Sequence, residues 1–268
     1  MRTAISAIVS LAALVPMPAV ANDAVLLHAA GSLRGALTEI AARFEAVTGS
    51  KVQAKFGASG LLRDEIASGA KAEVFASANL EHPQALAGMK RSGAVVLFAR
   101  NKLCALARPG LTVTPASILD LMLDPQVKLA TSTPKADPSG DYAWEMFRKA
   151  ESTKPGALAV LSKKALQLVG GPSSPPPPPG RSAYGALISQ GAADVFLTYC
   201  TNALAAQKEN PGQQIVALPD ALAVGADYGL TVMNEASTPA YQFALFILSA
   251  EGQKILASHG FAAPNLPD

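Results

Sequence analysis

Soft and imidazole ligands are scarce in this chain, which has two cysteines and three histidines in 268 residues. His28, His82 and His259 fall at no metal-ligand spacing. Cys104 and Cys200 are 96 positions apart, too far for a zinc or redox motif. In an oxidising compartment the two thiols either pair across a long loop or lie buried as apolar side chains on separate strands. Charge is also sparse: 16% of residues are charged and the formal net charge is +2. No basic footprint for nucleic acid or anionic lipid results. Past the first 21 residues no apolar run approaches the ~20 needed to span a bilayer as a helix.

Two sequence signatures of catalysis are missing as well. A nucleophile elbow needs G-x-S-x-G, and the residue two after Ser59 is Leu61. A phosphate-binding loop needs Gly-Lys-Ser/Thr, which does not occur. An exported serine hydrolase is the alternative function class, and His28 is the one weak candidate for its base.

What is present begins with MRTAISAIVSLAALVPMPAVA, which has a basic start at Arg2, an apolar run and a small-residue site at Ala19-Val20-Ala21. This is the pattern of a cleaved signal peptide over residues 1–21, with the mature chain starting at Asn22. No cysteine follows the cleavage site to carry a lipid, so a freely soluble periplasmic protein is expected.

From Val25 onward, strand-length apolar runs alternate with amphipathic stretches, the pattern of an α/β fold with mainly parallel sheets. Strands are predicted at Val25 to Ala30, Val52 to Phe56, Val74 to Ala78, Val95 to Ala99, Leu103 to Ala107, Lys128 to Ser132, Val195 to Tyr199, Ile215 to Leu218 and Tyr228 to Met233. Helices are predicted at Leu33 to Val47, Leu61 to Ser68, Pro83 to Arg91, Pro115 to Leu123, Gly140 to Ala150, Pro155 to Leu168, Ala183 to Gln190 and Pro239 to Leu248. In the first helix Leu37, Ile40, Ala41, Phe44 and Val47 share one face, and Gly49 stops it. GGPSSPPPPPG, with Pro175 to Pro179, reads as an exposed polyproline-II loop.

Ser32, Ser59 and Ser139 each stand where a helix-like stretch begins, beside Gly31, Gly60 and Gly140. A helix start carries unpaired N–H groups and partial positive charge, so each junction suits an anion. It equally suits a simple N-cap, the commonest job of serine there. Asp137 is read either as an Asp-Pro turn beside a helix start or as a carboxylate at the site.

The runs AAGSL, KFGASGLLRDEIASGAKAEVFASA, FARNKLCALA, DPSGDYAWEMF, FLTYCTNA and SAEGQKILASHGFAAP occur in that order and span Leu26 to Pro264. Together they closely resemble the periplasmic molybdate-binding proteins of ABC transporters. The resemblance implies an α/β, two-lobed type II periplasmic binding protein fold with the ligand cleft between the lobes. The first lobe would comprise residues 22–99 and 217–268, and the second residues 100–216. It implies ligand-binding roles for Ser32, Ser59, Ser139 and Tyr199, with Tyr184 standing near the family's Asn-Val-Arg position after the proline loop. It further implies a monomer with no cofactor or nucleic acid, whose transported ligand is molybdate or tungstate and whose partner is an ABC transporter permease in the inner membrane. Another sulfate-like or small organic anion is the alternative within the same fold. The chemistry is coherent, because a dianion that only accepts hydrogen bonds is matched by neutral N–H and O–H donors.

Overall fold

One strand organises the molecule. In the computed structural model, which describes residues 24–176 and 180–264, a strand from Val96 to Ala107 changes partners midway along its length. The proposed signal segment 1–21 and residues 177–179 of the proline loop lie outside the described residues.

In chain order the elements are β1 (Val25–Ala30), α1 (Arg34–Thr48), β2 (Val52–Gly57), α2 (Ser59–Ala67), β3 (Val74–Ser77), α3 (Glu81–Gly88) and β4 (Val96–Ala107). There follow α4 (Ile118–Leu123), β5 (Leu129–Ser132), α5 (Pro138–Thr153), α6 (Ala157–Lys164), β6 (Leu166–Val169), α7 (Ala183–Ser189), β7 (Val195–Tyr199) and α8 (Cys200–Glu209). The chain closes with β8 (Gln214–Ala217), β9 (Gly225–Val232), α9 (Thr238–Leu248) and α10 (Ala250–Ser258).

The strand order is β2-β1-β3-β9-β4-β7-β5-β6, with β8 also on β4. Val96 to Lys102 pair with β9, whereas Leu103 to Ala107 pair with β7 on one side and Cys104 to Ala107 with β8 on the other. Two strands were expected here, since Arg100-Asn101-Lys102 interrupts the apolar pattern. That polar triplet is instead where the strand passes from one half of the sheet to the other. The parallel expectation holds within each half, for β1 with β2 and β3 and for β5 with β6 and β7. The pairings of β9 and β4 are antiparallel, because the chain crosses between the halves on these strands.

Helix α1 shows how the sequence pattern becomes packing. Leu37, Ile40 and Phe44 are buried, and Phe44 meets Phe243 edge-on with ring centroids 5.2 Å apart, tying α9 to the first half. Burying such a ring stabilises by roughly 1.5–3 kcal/mol. Val47, expected on the same face, is 66% exposed in the last turn of the helix. Gly49 ends the helix in the left-handed region (φ 74°), donating its N–H to the Glu45 carbonyl at 2.8 Å. At the other end of the chain, Arg100 and Ala262 exchange backbone hydrogen bonds of 2.7 and 2.9 Å, which clamp the tail after α10 onto β4.

Two further expectations are corrected. The helix expected from Pro155 to Leu168 stops at Lys164, and Leu166–Val169 forms edge strand β6 beside β5. Helix α8 was not foreseen; its buried positions include Ala203 and Ala206, too small to produce a clear apolar period. The cysteines, left open between pairing and burial, form a disulfide from β4 to the first residue of α8, Cys104 to Cys200, with Cα atoms 4.9 Å apart.

Candidate functional site

A cavity of about 630 Å³ lies between the two halves of the sheet. Its walls come from the starts of α1 and α2 on one side, and from Asp137, residues 169–170, Pro175, residues 180–184 and the start of α8 on the other. Ser32, Ser59, Tyr184 and Tyr199 all line it, as does Thr201.

Ser59 is the first residue of α2, and Ala58 occupies the capping position without a side-chain cap bond. The serine is therefore not the cap that its position in the sequence allowed. It is 1% exposed, and its Oγ accepts the Ala78 N–H at 3.1 Å. With an acceptor site taken, the hydroxyl keeps its one proton to give. The next residue explains the glycine of this turn. Gly60 donates its N–H to the Ala136 carbonyl on the opposite wall at 2.9 Å. A Cβ on Gly60 would stand 2.6 Å from the Lys135 oxygen and 2.7 Å from that of Ala136.

Ser32 sits in a 3₁₀ turn, Gly31–Leu33, and it too makes no cap bond. Its Oγ is 2.9 Å from the hydroxyl of Tyr228, a fully buried residue of β9. Asn101 orders this pair. Its Oδ1 accepts the Lys102 N–H at 2.9 Å, so its amide protons go to Thr201 Oγ1 at 2.8 Å and to the Tyr228 hydroxyl at 3.2 Å. The arrangement that uses every proton has Tyr228 donating to Ser32. Ser32 and Thr201 then each accept one proton from the protein and hold one of their own for the cavity.

Tyr199 is 1% exposed, and its hydroxyl donates to the Ala78 carbonyl at 3.5 Å, the outer edge of a hydrogen bond. Tyr184 packs edge-on against Phe196, with centroids 4.9 Å apart. Burial raises the pKa of the Tyr184, Tyr199 and Tyr228 hydroxyls, so all three keep their protons and act as neutral donors.

Ser139 is placed otherwise than expected. Its N–H is already given to Asp137 Oδ1 at 3.0 Å, and its side chain is fully buried outside the cavity lining. The anion at this helix start is the protein's own. Asp137 both caps α5 and lines the cavity, so each of its two readings describes part of its position. Among the described residues no lysine, arginine or histidine forms an ion pair with it. Burial pushes its carboxyl up to about 6, against the pull of the Ser139 amide. Charges of the other kind stand nearer the rim: Arg34 lies over the Phe56 ring at 4.7 Å, and Arg181 is 3.8 Å from Glu209.

His28, the candidate base of a hydrolase, does not line the cavity, and burial lowers its pKa with help from Lys55. Ser59 Oγ accepts a hydrogen bond from the Ala78 amide, and among the described residues no hydrogen bond links it to a base. Among the described residues no cluster of His, Cys, Asp or Glu has a metal-binding arrangement. Thr201 and its orienting partner Asn101 were not identified as site residues. The Arg100-Asn101 and Tyr-Cys-Thr-Asn runs were visible, but nothing in one sequence joins positions 100 residues apart.

Known proteins share the chain's sequence pattern and its fold. An uncharacterized protein of Pasteurella multocida is 34% identical over 238 residues, covering 88% of this chain and 98% of that one. The molybdate-binding protein ModA of Mycobacterium tuberculosis is 27% identical over 254 residues, 90% of this chain and 85% of its own. The periplasmic molybdate-binding protein of Azotobacter vinelandii superposes with a TM-score of 0.72 at 20% identity, over 90% of this chain and all of that structure. The fold is thus that of the type II periplasmic binding proteins. Residues 25–262 match the family described as bacterial extracellular solute-binding protein, and the chain belongs to that family.

Proposed function

We propose that this protein is the periplasmic solute receptor of an ABC importer, capturing its solute by an oxyanion group and passing it to a membrane permease. Its lobes are residues 22–99 with 217–268, and residues 100–216, hinged where β4 and the β8-to-β9 segment cross. Closure over the solute bridges the two walls and shifts the population toward the closed form.

One observation carries the reading. Ser59 and Thr201 each accept a hydrogen bond from another protein group, and Ser32 does so in the arrangement that uses every proton of the Asn101–Tyr228 chain, which leaves each of the three hydroxyls, all at one cavity, a proton to donate. Neutral donors fixed this way suit a ligand that only accepts, and they need no buried cationic partner. Molybdate and tungstate are the simplest solutes of that kind.

Calorimetric titration with molybdate, tungstate, sulfate and phosphate tests it. At least one oxyanion is expected to bind, and Ser32→Ala and Ser59→Ala should each weaken it. Silence toward all four, or unchanged affinity in both variants, would overturn the reading.

A further inference from the structure

The cavity is much larger than a bare oxyanion requires. The cleft is open to solvent, and its volume of about 630 Å³ exceeds what the five heavy atoms of a tetrahedral oxyanion fill. It falls in the range of roughly 300–1,000 Å³ that holds whole organic ligands. Phe56, Val169 and Pro175 contribute apolar surface to its walls, which a bare dianion cannot use.

Asp137 gives the second constraint. Its carboxylate lines the same cavity from the wall opposite Ser59, with no cationic side chain paired to it among the described residues. Beside a bare dianion this acceptor would be repulsive. Beside an ammonium or hydroxyl group it is the complement that the site otherwise lacks. The three hydroxyl residues lining one cavity, in turn, match a head with three terminal oxygens better than a carboxylate with two.

We infer that the solute is a phosphate monoester, its phosphate on Ser32, Ser59 and Thr201 and its organic body carrying an ammonium or hydroxyl donor to Asp137. This rests on the oxyanion reading and narrows it from a bare anion to a substituted one.

The test compares three probes by calorimetry on the purified protein: molybdate, ethyl phosphate, and O-phosphoethanolamine, which adds an ammonium group to the same phosphate head. Phosphoethanolamine is expected to bind about tenfold or more tighter than ethyl phosphate, the size of one charge-assisted hydrogen bond. Asp137→Asn should bring the two within about threefold, since asparagine still caps α5 while the charge is gone. The wild-type ratio stands as a test by itself if the variant folds poorly. Equal binding of the two phosphates, or molybdate binding tighter than both, overturns this inference and leaves the oxyanion reading in place. No binding by any of the three overturns this inference, and silence toward tungstate, sulfate and inorganic phosphate as well overturns both.

Discussion

The Gly60 amide donates to the Ala136 carbonyl at 2.9 Å, a direct bond between the two walls of the cavity and immediately beside Ser59. It is available because residue 60 has no side chain: the nearest backbone oxygens would lie 2.6 and 2.7 Å from a Cβ. Gly60→Ala should therefore hold the walls apart. Helix α2 itself tolerates alanine at this position, so thermal stability should change by no more than about 1 kcal/mol. Affinity for a bound oxyanion should drop about tenfold or more, since the closed form is the one that binds. Small-angle scattering with and without saturating ligand measures the closure. A variant that contracts as the wild type does would show that this contact is incidental.

Ser32 and Tyr228 make a coupled pair, with Asn101 behind them. Ser32→Ala removes a donor to the ligand, with an expected loss of about 1.5–3 kcal/mol in binding. Tyr228→Phe keeps the ring against Phe98 and Phe261 but removes the proton that orients Ser32, and should cost a smaller part of the same affinity. If Tyr228 acts through Ser32, the double variant binds no worse than Ser32→Ala alone. Full additivity in this double-mutant cycle would separate the two residues.

How much of this was legible beforehand follows from what each feature depends on. Strands such as Val25–Ala30 and Val195–Tyr199 fall where the apolar runs were, since a strand buried on both faces reads as such a run. The break at Arg100 to Lys102 was misread because a strand that changes partners must pass polar residues through the crossing. Ser32 and Ser59 were visible as serines before helices, yet their work is set by Tyr228 and Ala78, which lie 196 and 19 residues away. Ser139 misled for the opposite reason: its neighbour Asp137, two residues earlier, satisfies the helix start locally. Thr201 depended on a partner 100 positions away and on a helix too rich in alanine to announce itself.

The disulfide bears on the site as well as on the fold. Cys200 opens α8 between Tyr199 and Thr201, and Cys104 holds it to β4 three residues past Asn101. In the loop-entropy account, closing a loop of 96 residues is worth about 4.7 kcal/mol. Reduction, or the paired Cys104→Ala and Cys200→Ala change, should lower the melting temperature by several degrees or more in scanning calorimetry. Oxyanion affinity should fall too, as Thr201 loses its fixed distance from Asn101. An unchanged melting temperature on verified reduction would contradict the first expectation, and unchanged affinity the second.

Asp137 ties stability to pH, with a sign opposite to that of an ordinary ion-paired carboxylate. Its carboxyl is raised from 3.8 to about 6 in the folded chain, chiefly by burial. Folding therefore favours the protonated form, and between these two values the native state binds more protons than the unfolded state. Stability falls as pH rises through that window, by something on the order of 2 kcal/mol if most of the shift is realised. The full penalty applies above about pH 6, and it is absent below the unfolded value near 3.8. Many carboxylates titrate in the same range, so the informative quantity is the difference between wild type and Asp137→Asn. The variant gains stability relative to wild type above pH 6 and loses that advantage near pH 4. Denaturant melts at several pH values measure it. A difference that stays flat across the window would mean that the Asp137 carboxylate is solvated well enough to keep its ordinary acidity.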